Sequence, residues 1–127
     1  MTPEIEQAVE EIRATFEGHA LEVKEETQGG AYVIVAALEL GSAFSPAESW
    51  VGFLITFQYP RADVYPHFVD PYLHRKDGAP LGVGFSGPID WNGRKAIQIS
   101  RKSNRLDPAS DTAALKLQKV LEWVRKQ

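Results

Sequence analysis

The chain contains no cysteine, so a thiolate nucleophile is excluded and the candidates for nucleophilic chemistry are serine hydroxyls assisted by a histidine. Ser86, Ser100 and Ser103 are candidate nucleophiles, and His74 is the obvious candidate for a general base. A serine hydroxyl is a weak nucleophile unless a base lies within hydrogen-bond reach. The sequence alone does not show which serine, if any, has a base within that distance. Catalysis by a serine is therefore one hypothesis, and the other is that Ser100 ends a strand while His74 is a surface residue.

The sequence offers no recognisable site for a metal or a phosphate group. His19 and His67 lie far apart and have no acidic or cysteine partners at metal-binding spacing. The glycine-rich run at residues 82–87 fits neither the phosphate-binding loop nor the G-x-S-x-G nucleophile motif. We therefore expect a flexible loop there, no metal and no cofactor.

Tryptophans and a basic cluster are candidates for contacts with another protein. Trp50 and Trp91 could anchor a partner, whereas Trp123, near the chain end, could belong to the core or to an interface. The basic cluster consists of Arg101, Lys102 and Arg105. Such a cluster could meet an acidic partner, although exposed charges are usually only solvated.

Length and composition are those of one globular domain spanning residues 1–127. The chain has 43% hydrophobic and 24% charged residues, with a formal net charge of −3. An acidic balance gives no attraction for phosphate backbones, so nucleic acid is not an expected partner. No apolar run reaches the roughly 18 residues that cross a bilayer, and no secretion signal is recognisable. We expect a cytoplasmic protein without a membrane partner.

A helix is predicted at the start of the chain. Ile5, Val9, Ile12 and Phe16 recur at spacings of three and four residues. Thr2 is in position to cap this helix, with Pro3 and Gly18 at its two ends.

Four strands are predicted next, because the hydrophobic period changes to two and short apolar runs appear between turn residues. The first strand begins at Leu21, and the other three cover residues 31–40, 50–59 and 67–74. Residues 41–48 and 75–90 are predicted to be loops, and residues 95–100 a short strand or extended segment. A final helix with Asp107 as its cap and Pro108 in its first turn carries an apolar stripe through Ala114, Leu117, Leu121 and Val124.

This order of elements predicts an α+β fold. The expected architecture is a four-stranded antiparallel meander sheet packed by an N-terminal helix and a C-terminal helix.

Two segments of the chain resemble the ubiquitin-conjugating (E2) superfamily and its non-catalytic RWD relatives. Tyr59-Pro60 and Tyr65-Pro66 are similar to the tyrosine-proline turn and later proline that these families place between their third and fourth strands. The segment Gly93-Arg94-Lys95-Ala96-Ile97 is similar to the E2 segment that carries the thioester-forming cysteine, with Ala96 at the cysteine position.

Other positions extend the resemblance or depart from it. His74 stands near the place of the E2 His-Pro-Asn motif, but no asparagine follows it. The spacing from His74 to Ala96 is 22 residues, against about ten in conventional E2 proteins, so an insertion is implied. The stretch from Ile99 to Asp111 is similar to a pattern in bacterial E2-like proteins of ubiquitin-like conjugation operons.

The resemblance implies a protein that binds an E1-like adenylating enzyme or a ubiquitin-like protein. Because alanine cannot accept an acyl group, enzymatic activity is left open. The chain is a non-catalytic binding module, an enzyme that forms a serine oxyester, or an E2 disarmed by replacement of cysteine at Ala96. From a different class, an unrelated small-molecule-binding α+β domain would show a deep, enclosed pocket.

Overall fold

The computed structural model describes all residues, 1–127, as two helices and eight strands. In chain order the elements are α1 (Pro3–Thr15), β1 (Leu21–Glu25), β2 (Ala31–Glu39), β3 (Phe44–Ser45), β4 (Glu48–Ile55), β5 (His67–Val69), β6 (His74–Arg75), β7 (Phe85–Trp91), β8 (Arg94–Ile99) and α2 (Ala113–Arg125). Neither helix is long and apolar enough to cross a membrane.

Helix α1 forms as its sequence predicts. The Thr2 side chain accepts a hydrogen bond from the backbone N–H of Ile5 at 3.2 Å, and Pro3 occupies the first turn. Ile5, Val9 and Ile12 are buried on one side of the helix. Their spacing places the apolar stripe against the sheet, as expected for an amphipathic surface helix.

The main sheet contains six antiparallel strands in the order β1-β2-β4-β5-β8-β7. The prediction of an α+β fold with an antiparallel sheet is therefore confirmed, but the sheet has six strands rather than four. Strands β3 and β6 form a separate two-stranded sheet. The predicted strand at residues 67–74 is accordingly divided between β5 and β6, which belong to different sheets.

Both helices contribute to one core on one face of the main sheet, called here the inner face. The core is a cluster of 26 buried residues that combines both helices with alternating strand residues. The strand contributions include Val33, Val35, Phe53, Ile55, Ile97 and Ile99. Alternation along a strand sends their neighbours to the opposite, outer face.

The loop prediction for residues 75–90 is wrong for its second half. Phe85–Trp91 is a strand that pairs with β8 through a hairpin whose two loop residues are Asn92 and Gly93. Both loop residues have positive φ, 49° and 79°, as a tight two-residue hairpin turn requires. A register shift between Ser86 and Ile89 interrupts the pairing. The regular alternation of apolar and polar residues that predicts a strand is therefore interrupted in the sequence.

Two further boundaries differ from prediction. Strand β4 ends at Ile55 instead of residue 59. Helix α2 begins at Ala113, because the Thr112 side chain accepts a hydrogen bond from the Leu115 N–H at 3.1 Å. Asp107, the predicted cap, instead accepts a hydrogen bond from the Ala109 N–H within the preceding turn.

Candidate functional site

The outer face of the sheet carries an aromatic cluster. Trp91 stacks on Phe68 with ring centres 4.6 Å apart and lies parallel to Trp50 at 6.3 Å. The edge of Tyr32 meets Trp91 at 6.1 Å. These rings come from four strands, so one tryptophan of the β7–β8 hairpin covers the middle of the outer face.

The β7–β8 hairpin bends across the outer face instead of extending the sheet flat. Arg94, at the start of β8, comes within 3.9 Å of Glu22 on β1, although three strands separate β8 from β1 in the sheet. Gly52 allows this approach, because a Cβ atom at that position would lie 2.5 Å from Cζ3 of Trp91. The hairpin therefore forms a partial cover over the outer face.

Ala96, the position aligned with the E2 cysteine, lies within β8 opposite Ile89. Its exposure is 0%, and it is not part of the inner-face core. Alternation with Ile97 places its side chain on the outer face of the sheet. The alanine side chain is therefore not accessible from solvent.

The structure does not bring Ser100 and His74 together. The Ser100 hydroxyl accepts a hydrogen bond from the Gln98 side-chain amide at 3.0 Å, next to β8. His74 is exposed on β6, in the other sheet, and its Nδ1 lies 3.0 Å from the Tyr72 carbonyl oxygen. Ser86 is exposed on β7 and makes no side-chain hydrogen bond. None of these serines has a histidine within hydrogen-bond distance.

Ser103 is the one serine candidate with charged partners, in what we call the Asp63 network. Its hydroxyl donates to Asp63 Oδ1 at 2.8 Å, and its backbone N–H donates to Oδ2 at 2.7 Å. Lys116 Nζ donates to Ser103 Oγ at 2.9 Å and contacts Asp63 at 3.0 Å. Because the lysine donates in every contact, it is not a base for the hydroxyl. The network ties residues 56–66 and 100–112 to α2.

Hydrogen bonding keeps Asp63 ionised. Burial alone would raise the pKa of its carboxyl group, but hydrogen bonds from the Ser103 N–H, from Lys116 and from the Ser103 hydroxyl outweigh burial and lower the pKa. The side chains of Lys116 and Asp63 are 8% and 21% exposed. The pair is therefore a semi-buried salt bridge with its hydrogen bonds satisfied.

His67 lies on the inner face of β5 and is fully buried. Its ring centre lies 5.1 Å from that of Phe53, and neither ring nitrogen has a hydrogen-bond partner. Burial, with a further contribution from the positive charge of Lys116, lowers the His67 pKa to about 3, while Asp63 acts in the opposite direction. His67 is therefore neutral in the folded protein near pH 7.

A basic groove runs between residues 101–104 and α2. Its volume is about 280 Å³, and its lining is Arg101, Lys102, Ser103, Asn104, Asp111, Lys116, Lys119, Val120 and Trp123. The Arg101 guanidinium lies over the Trp123 ring at 4.6 Å. Groups of this kind suit the recognition of carboxylates or other anions.

Enclosed space in the molecule is small. The pocket beside the Asp63 network, lined in part by Tyr59, Val64 and Thr112, holds about 10 Å³, which is the room for one water molecule. The larger depressions, including the basic groove, are open to solvent. No group of three or more acidic or histidine side chains is arranged to hold a metal ion.

Sequence reasoning singled out Ser103 and the basic residues 101 and 102, but it missed Asp63 and Lys116. These two are 53 residues apart, and no local motif joins them. One available signal was the position of Lys116 in the apolar stripe of α2, between Ala113 and Val120, where a buried lysine needs a partner.

No family model, curated protein or solved structure matches the chain.

Proposed function

We propose that the chain is an E2/RWD-like binding module of a bacterial ubiquitin-like protein conjugation pathway. Its partners would be an E1-like adenylating enzyme, a ubiquitin-like protein, or both. The order of a capped helix, antiparallel strands and a C-terminal helix supports this proposal. Tyr59-Pro60 and Tyr65-Pro66 support it too, because they lie between β4 and β5, two neighbouring strands of the main sheet.

The burial of Ala96 is the observation that favours binding over acyl transfer. An acyl carrier needs a nucleophile that a partner can reach and a donor that stabilises the oxyanion. Position 96 has 0% exposure, and Ser100 and His74 are apart. A cysteine at position 96 would be enclosed in the same way, which disfavours the disarmed-enzyme alternative.

Of the three candidate serines Ser86, Ser100 and Ser103, the serine-oxyester alternative can draw only on Ser103 for a hydroxyl with charged partners. That hydroxyl already donates to Asp63 and accepts from Lys116. Both contacts hold the side chain in place, and neither supplies a base, since a carboxyl group with a lowered pKa takes up a proton poorly. Ser103 therefore has a structural role in this proposal.

The alternative of a small-molecule-binding domain lacks the pocket that it requires. Ligand pockets usually have volumes of about 300–1,000 Å³ and enclose most of the ligand. Here the enclosed pocket holds only about 10 Å³. A protein partner fits the open surfaces better.

The resemblance alone suggests a surface of the chain for contact with the E1-like enzyme. In the E2 family the first helix contacts E1, so the contact would fall on the polar side of α1. That side carries Glu4, Glu10, Glu11 and Arg13, of which Glu4, Glu10 and Arg13 are exposed.

A direct test combines the protein with the E1-like and ubiquitin-like proteins of its own genome, with and without ATP. Isothermal titration calorimetry measures binding, and intact mass spectrometry detects any covalent adduct. We expect a complex without an adduct. An adduct that disappears in Ser100→Ala or Ser103→Ala would instead establish an oxyester enzyme.

The variant Ala96→Cys tests the buried position. We expect no thioester and slow reaction of its thiol with a maleimide in the folded protein, with rapid reaction in urea. A thioester that forms only in this variant would support the disarmed-enzyme alternative. Failure to bind either partner would refute the pathway assignment.

A further inference from the structure

The basic groove concentrates positive charge in a protein that is negative overall. Arg101, Lys102, Lys116 and Lys119 line the groove, and Asp111 is the only carboxylate in the lining. The formal net charge of the whole chain is −3. The groove is therefore a local exception to the charge of the molecule, and such patches attract ligands of opposite sign.

Two of these cations are held in place without being neutralised. The Arg101 guanidinium lies 4.6 Å from the centre of the Trp123 ring, and Lys102 Nζ lies 5.3 Å from that of Tyr65. Neither side chain has a carboxylate within 4.0 Å. Cation–π contact orients a positive group but leaves its charge available to a further partner.

The other cations that lie over aromatic rings differ in this respect. Arg75 has Asp77 at 3.3 Å, and Arg94 has Glu22 at 3.9 Å. Within the groove, Lys116 is paired with Asp63 at 3.0 Å and Lys119 with Asp111 at 3.6 Å. Only in the basic groove are oriented cations left without a carboxylate.

The walls of the groove are fixed by packing and hydrogen bonds. Trp123 packs against Phe85 at 5.2 Å, and a Cβ atom at Gly84 would lie 2.6 Å from its Cη2. On the opposite wall, two hydrogen bonds join Ser103 to Asp63. A site whose walls are already ordered loses less conformational entropy when a ligand binds.

We propose that the basic groove is the docking surface for an acidic peptide segment of a partner protein. Its volume of about 280 Å³ accommodates a few side chains, and the partly exposed ring of Trp123 gives it an apolar surface that suits a peptide better than a fully hydrated ion. The unpaired Arg101 and Lys102 supply the charge complementarity. This inference rests on the proposed function for the assumption that the partner is a protein.

The test measures binding of a fluorescein-labelled hexaglutamate peptide by fluorescence anisotropy in 150 mM NaCl, with hexaglutamine as the uncharged comparison. We expect the unaltered protein to bind hexaglutamate and not hexaglutamine. We expect the double variant Arg101→Glu, Lys102→Glu to bind hexaglutamate at least tenfold more weakly. Both side chains are exposed, so thermal unfolding should show that this variant stays folded.

A matched control carries the same change of net charge elsewhere. Lys76 and Lys126 are exposed and have no carboxylate within 4.0 Å. The double variant Lys76→Glu, Lys126→Glu should retain the affinity of the unaltered protein within twofold. Equal losses in both double variants, or no binding by the unaltered protein, would overturn the proposal. Displacement of the peptide by 1 mM inorganic phosphate would overturn it in favour of a small-anion site.

Binding of hexaglutamate in the groove and binding of the E1-like or ubiquitin-like partner can fail independently of each other. If the Arg101→Glu, Lys102→Glu variant still binds the E1-like or ubiquitin-like partner with full affinity, the pathway assignment stands and the groove proposal fails for that partner. If hexaglutamate binds in the groove but neither partner binds the protein, the groove stands and the pathway assignment fails.

Discussion

The buried His67 should make the protein sensitive to mild acid. Its side chain has 0% exposure and no hydrogen-bond partner at either ring nitrogen. Burial and the nearby charge of Lys116 lower its pKa from 6.5 to about 3. In the unfolded chain the ring is in water and takes up a proton near its ordinary pKa. Protonation therefore favours the unfolded state.

The sign and size of the effect follow from proton linkage. Between pH 6.5 and about 3 the unfolded state binds a proton at His67 that the folded state does not. The stabilisation is therefore complete above pH 6.5 and is lost as the pH falls towards 3. For a folded pKa near 3, the free energy of unfolding should decrease by about 2 kcal/mol between pH 8 and pH 5.

The assay is urea unfolding, followed by tryptophan fluorescence at pH 8, 6.5 and 5, for the unaltered protein and for His67→Leu. Leucine has a similar volume and leaves no polar atom unpaired, so the variant should remain folded. We expect the variant to lose about 2 kcal/mol less stability than the unaltered protein over this range. Asp63 and Asp77 have lowered pKa values, so both remain ionised above pH 5.

His74 supplies the control, because its side chain is exposed. The variant His74→Gln should show the same change in stability from pH 8 to pH 5 as the unaltered protein. If His67→Leu also shows that unchanged pH dependence, His67 is protonated in the folded state and our account of its environment is refuted.

Two further predictions concern packing and the salt bridge. Gly52→Ala should lower the free energy of unfolding by about 1–3 kcal/mol, because the added Cβ would lie 2.5 Å from the Trp91 ring. In a Trp91→Ala background the same substitution should cost much less. If urea unfolding shows that the two losses simply add, the contact between position 52 and Trp91 is contradicted. Lys116→Met should cost about 2–4 kcal/mol by leaving the semi-buried Asp63 without its partner, whereas Lys95→Met, which removes an exposed ion pair, should cost less than about 1 kcal/mol. If both lysine variants lose the same free energy of unfolding in the same assay, the contribution of these ion pairs to stability does not depend on burial.

The elements that the sequence predicts well are those with strong local signals. Helix α1 has a cap, a proline in its first turn and a regular apolar stripe, and all three hold. Strand β7 is not predicted, because Gly84 precedes it, Gly87 and Pro88 lie within it, and a bulge interrupts its alternation. Asn92-Gly93 was the available signal, since this pair favours a two-residue hairpin turn.

The candidate sites depend on contacts between distant parts of the chain, and the sequence could not show them. The Asp63 network joins residues 40 and 53 positions apart. The burial of Ala96 depends on the packing around β8, which no local sequence pattern predicts. The isolation of His67 from hydrogen-bond partners likewise follows from tertiary packing alone.

The two edges of the main sheet carry features that disfavour pairing with a strand of another chain. Strand edges with free N–H and C=O groups can pair with another chain and seed aggregation. Edge strand β1 presents the charged, exposed Glu22 and Lys24, and Glu22 also meets Arg94 of the hairpin. Edge strand β7 contains Pro88, which has no N–H group, beside Gly87 at φ 113°. Both edges therefore disfavour strand addition, so a partner would have to recognise side chains instead of extending the sheet.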